Sequence, residues 1–158
     1  MQATGNRSGA VAAILALLIL AGCQSAGRTV SATGENDTGM AYLEGIRAEA
    51  GLSPLRPDAA LERAALEQAV YMAEAGAMKH TTGFRRSFAC RMQANGVPGT
   101  AAENIAHGAF GPDELFQRWM DSPPHRRNML DARYTRFGLA AAGEADGNRR
   151  YWALVVAK

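Results

Sequence analysis

The chain contains three histidines, His80, His107 and His125, so any chemistry built on imidazole is almost enumerated before the fold is known. His80 stands in Met78-Lys79-His80-Thr81, a stretch without periodicity, and His125 follows Ser122-Pro123-Pro124. Both fall at the ends of regular segments, where binding groups concentrate because rigid elements position them. Glu103 sits in Ala101-Ala102-Glu103-Asn104-Ile105-Ala106, a lone acid in an apolar stretch. A carboxylate buried there needs cations or donors close by, and His80, His125 and backbone amides are the candidates. Ser122 lies three residues before His125, a spacing that offers a nucleophile and a base, with Glu103 to orient the imidazole. The Gly-x-Ser-x-Gly elbow is absent, as are HExxH and cysteine-based zinc patterns. Cys90 reads as a small buried hydrophobe rather than a reactive thiol.

The elements that must hold these residues are legible as periodicities. Met40, Leu43, Ile46 and Arg47 fall at helical spacing from Thr38, and Gly51 and Pro54 stop that helix. A second helix starts near Pro57 and Asp58, with Leu61, Ala65, Ala69, Met72, Ala73 and Gly76 in one stripe of mostly small residues. Phe84, Phe88 and Met92 predict a short third helix, with Ser87 as its cap and Asn95-Gly96 at its end. A fourth runs from Pro112 to Asp121, acidic in its first turn, and Pro123-Pro124 close it. Two β-like runs, Arg136 to Ala142 and Arg149 to Ala157, flank Asp146-Gly147 and predict a hairpin. Helices first and strands late give an α+β class, with helices covering an antiparallel sheet.

The 158 residues carry 17 Lys and Arg against 15 Asp and Glu, without a block of like charge, so a nucleic-acid surface is not expected. Two cysteines cannot form a disulfide framework. Residues 1–22 contain one Arg, no acid and an apolar run from Ala10 to Ala21. That run reaches about 18 Å as a helix, short of the ~30 Å hydrocarbon core, and reads as an export signal. It ends in Leu20-Ala21-Gly22-Cys23, which resembles the lipobox of bacterial lipoproteins, so Cys23 is the expected lipidated N-terminus of the mature chain. Residues 23–37, polar and small apart from Val30, are expected to be a flexible tether, and residues 38–158 a single domain.

His80 in KHTT, Glu103 in AENIAHG, the segment WMDSPPHRRNML from Trp119, FGLA from Phe137 and YWALVVA from Tyr151 stand in an order and spacing that resemble the bacterial branch of the CAP superfamily. The resemblance runs from about Met40 to Lys158. It implies a three-layer α-β-α sandwich with a small antiparallel sheet and a surface cavity of two histidines and two acids. His80, Glu103 and His125 match three of those positions; Ser122 stands where animal and plant members carry the second acid. Asp121 is one residue away, a helical turn of about 100°, and is expected to point elsewhere; His107 falls at a variable position. Some CAP proteins bind zinc or another divalent cation through this histidine pair, so His80 and His125 are the metal candidates, with no cofactor required. The function implied is a non-catalytic extracytoplasmic module that binds a lipid, cell-wall or protein ligand. The alternative is a metal- or Ser/His-dependent hydrolase of the cell envelope. The lipobox adds a membrane partner and a place facing the periplasm or exterior, with Gln24 after the cysteine favouring the outer membrane in a host that has one.

Overall fold

The computed structural model describes residues 1–2, 30–144 and 147–158. In chain order its elements are β1 (Val30–Gly34), α1 (Asn36–Glu49), β2 (Arg56–Pro57), α2 (Ala59–Ala75), α3 (Phe88–Ala94), β3 (Ala101–Gly108), α4 (Pro112–Asp121), α5 (Pro123–Met129), β4 (Arg136–Glu144) and β5 (Arg150–Ala157). The expected hairpin forms: β4 and β5 pair antiparallel from Arg136 opposite Ala157 to Gly143 opposite Arg150. β3 adds to β5 and β1 to β4, both antiparallel, giving the order β1-β4-β5-β3, with the two-residue β2 parallel to β4.

Strand alternation sends side chains to two faces, and each face is covered by helices. Tyr151, Ala153, Val155 and Ala157 of β5 pack with Leu61, Ala65, Ala69 and Met72 of α2. Trp152, Leu154 and Val156 pack on the other side with Leu43 of α1 and Leu115, Phe116 and Trp119 of α4. The result is the expected α-β-α sandwich. The small-residue stripe of α2 lets it lie directly on the sheet: a Cβ placed on Gly138 would fall 2.1 Å from the Glu62 backbone nitrogen and 2.2 Å from the Leu61 carbonyl carbon. Asp58 caps α2 by accepting from the Ala60 and Leu61 amides at 2.8 and 3.1 Å.

Three expectations are corrected. The expected tether, residues 23–37, is already part of the fold from Val30: β1 supplies the edge partner that β4 requires, Val30 and Ala32 pack on the α2 side, and α1 begins at Asn36. Residues 30–37 therefore belong to the folded domain, while the apolar run and Cys23 lie outside the described residues. The third helix starts at Phe88, capped by the Ser87 hydroxyl on the Cys90 amide at 3.3 Å, and Phe84 lies outside it. Pro123-Pro124 end α4 but also open α5, because proline at the first helical positions needs no amide partner. His125 is consequently on a helix.

Candidate functional site

β3 is the outer strand of the sheet on one side, and consecutive residues of it face opposite ways. Glu103 points to the α2 and α3 side, where its Oε1 lies 2.8 Å from the His80 Nδ1 and its Oε2 accepts from the Arg91 guanidinium. The Glu103 and Arg91 side chains are 3% and 1% exposed, whereas that of His80 is 57% exposed. Asn104 points to the other side, where its Nδ2 donates to the His125 carbonyl at 3.1 Å and its Oδ1 accepts from Asn128 at 2.8 Å. One dipeptide thus holds both histidine-bearing segments, the loop after α2 and the start of α5, against the same strand edge.

Arg91 braces this arrangement twice. Besides Glu103 it donates to the Arg86 carbonyl at 3.0 Å and the His80 carbonyl at 3.5 Å, tying down the loop that carries His80. Gln68 of α2 adds a bond to the Lys79 carbonyl at 2.6 Å. On the opposite side Arg47, buried in α1, donates to the Met129 carbonyl at 2.8 Å and so fixes the end of α5.

These contacts set the proton positions. A Glu103 carboxylate paired with Arg91 is an acceptor only, so the His80 Nδ1 carries the proton between them, and Nε2 is the His80 nitrogen not committed to Glu103. Burial, and next the positive charge of His80, push the His125 imidazole below its usual range. The His125 Nδ1 is buried without a hydrogen-bond partner among the described residues. The exposed His80 imidazole can therefore accept from or donate to a polar ligand at the edge of β3, while the unpartnered His125 Nδ1 lies buried behind it in α5.

Ser122 joins α4 to α5; its carbonyl accepts from the Arg126 amide at 2.9 Å, and no hydrogen bond links its hydroxyl to His125 among the described residues. Asp121 is exposed and accepts from Gln117 at 2.9 Å, so it turns away as its helical position predicts. His107 stacks on Tyr151 at 4.0 Å and takes no part in these contacts. Cys90 is half-buried on α3. For a metal, His80 has the carboxylate behind its Nδ1 that commonly supports a ligating histidine. Among the described residues no three His, Cys, Asp or Glu side chains are grouped to hold an ion, so a cation there would have two protein nitrogens and take its other ligands from solvent. Arg91 and the Asn104–Asn128 pair are the residues that sequence reasoning missed. Arg91 stands three residues after Phe88 on the inward stripe of its helix, a spacing that marks it as buried without naming its partner.

Comparison with known proteins agrees with this architecture. The family model of CAP, the cysteine-rich secretory protein family, matches residues 40–156. The chain is 33% identical over 94 residues to the uncharacterised protein YkwD of Bacillus subtilis (strain 168), covering 59% of this chain and 37% of that one, so it spans well under half of that relative's length. An outer surface protein from Borrelia burgdorferi superposes with a TM-score of 0.70 at 19% identity, covering 82% of this chain and 98% of that one. An extracellular protein containing a SCP domain from Bacillus anthracis gives 0.68 at 22% identity, covering 78% and 39%. At these identities the two structures speak for the fold. With the family model covering residues 40–156, which include β2 to β4, most of β5, helices of both layers and the His80, Glu103 and His125 positions, the chain belongs to the CAP family.

Proposed function

We propose that this chain is an extracytoplasmic CAP-domain lipoprotein that binds a ligand or partner without chemical turnover, through the hollow of His80, Glu103, His125 and Ser122. The observation that carries this reading is the wiring of the site. The His80 Nδ1 is committed to Glu103, and Ser122 and His125 share no hydrogen bond, so the nucleophile–base pair that acyl transfer requires is not assembled. What is assembled is a set of polar groups held rigid by Arg91 and Asn104, which suits recognition. The neighbours described as extracellular and as an outer surface protein support a place outside the cytoplasm, and the Leu20-Ala21-Gly22-Cys23 motif supports anchorage through Cys23.

Two measurements test the two halves. Ester and peptide hydrolysis by the purified chain is expected to match that of Ser122→Ala and His125→Ala; turnover that either substitution abolishes would establish the hydrolase instead. Intact mass spectrometry is expected to find diacylglycerol on the wild-type chain and none on Cys23→Ser, and an unmodified wild type would remove the anchor.

A further inference from the structure

The segment between Glu74 and Glu103 has an uneven composition. It carries Lys79, Arg85, Arg86 and Arg91 and no acidic residue, in a chain whose charges otherwise nearly balance. Two of these cations are accounted for: Arg91 is buried on Glu103, and Arg86 bonds Glu74 at 2.8 Å while lying over the Tyr71 ring. Lys79 and Arg85 are exposed and make no ion pair among the described residues. Beside them in the same loop stand Met78, 51% exposed, and Phe84, 93% exposed, the two most exposed large apolar side chains among the described residues from Val30 onward.

Phe84 is displayed by a turn. The Arg86 amide donates to the Gly83 carbonyl at 3.1 Å, putting Phe84 and Arg85 at the two central positions. Arg85 has a φ of 59°, in the left-handed region that such a turn normally fills with Gly or Asn. A conformation disfavoured for arginine is thus retained where it projects an aromatic ring and a cation together, and strain of this kind clusters at functional surfaces.

We infer that the 78–86 loop docks on an anionic lipid bilayer, with Phe84 and Met78 entering the acyl–headgroup boundary and Lys79 and Arg85 meeting the lipid phosphates. The ring favours a bilayer over a soluble polyanion, which would satisfy the cations and leave Phe84 in water. Two cations and one aromatic make a weak attachment alone, so this inference rests on the proposed anchorage, which supplies the second signal that stable membrane binding needs. Docking through this loop sets the membrane surface beside His80, which lies within it, and makes an envelope component the ligand class that reaches the site.

The test uses the full chain carrying Phe84→Trp, mixed with vesicles of brominated phosphatidylcholine alone or with phosphatidylglycerol added. Trp119 and Trp152 are each 1% exposed, so the wild-type chain supplies the unquenched background. The introduced indole is expected to be quenched on anionic vesicles, with an inserted-to-free ratio roughly 30-fold above that on neutral ones, since each cation near the surface contributes about fivefold. Adding Lys79→Glu and Arg85→Glu is expected to abolish that difference. A chain that sediments with the vesicles while its indole stays unquenched, or is quenched equally on both, overturns the loop inference alone. A chain that sediments with neither overturns the anchorage and the loop together.

Discussion

Replacing Glu103 by alanine removes the carboxylate from between Arg91 and His80 and leaves a guanidinium that is 1% exposed without its counter-charge. Breaking a buried pair by deleting one partner costs about 3–5 kcal/mol, most of it the penalty for the stranded ion. At about 2.1 cal/mol/K of unfolding entropy per residue, over the roughly 130 residues from Val30 onward, that corresponds to a fall in Tm of about 11–18 °C. Thermal unfolding followed by circular dichroism measures it. Arg91→Met alone is expected to be comparably damaging, because it strands the carboxylate and also frees the Arg86 carbonyl. The double variant has no ion to strand, so its loss is expected to fall below the sum of the two singles by more than about 1 kcal/mol. A Glu103→Ala chain melting within about 2 °C of wild type, or strictly additive losses, would show that the pair does not hold the site.

Two further outcomes follow from the same structure. Gly138→Ala drives a methyl group into the backbone of α2 at Leu61 and Glu62, which cannot give way as a side chain would; a loss of at least about 1–3 kcal/mol is expected in urea unfolding, and an unchanged midpoint would contradict the close approach of α2 to β4. His125, and His107 through burial and then Arg149, are both held below the usual imidazole range, so the folded chain binds fewer protons than the unfolded one as pH drops. Their stabilisation is complete above the unfolded value of about 6.5 and is lost as pH falls through it. Tm is therefore expected to fall between about pH 7.5 and 5.5, and to fall less in His125→Gln.

Local chemistry was the legible part of this fold. Asp58 and Ser87 announce their helices because a cap is a contact within three residues, and the β4–β5 hairpin is written in two apolar runs around one turn. β1 escaped because Val-Ser-Ala-Thr-Gly carries little pattern of its own; its pairing is dictated by β4, more than a hundred residues away. α5 was hidden because a proline pair both stops one helix and starts another, and only packing against β3 decides that the chain turns helical again. At the site, His80, Glu103 and His125 could be named from sequence, yet the group that neutralises Glu103 could not. Arg91 reaches it only because α3 and β3 pack together across a loop.

The convergence of His80 and His125 across the edge of β3 is the claim on which the site depends, and an NMR titration of the His125 ring in wild type and His80→Gln tests it most directly. Removing the His80 charge is expected to raise the His125 apparent pKa part of the way back, since burial is the larger cause and persists, while His107 serves as an unaffected control. A His125 titration curve identical in the two chains would mean that the two rings do not share a site.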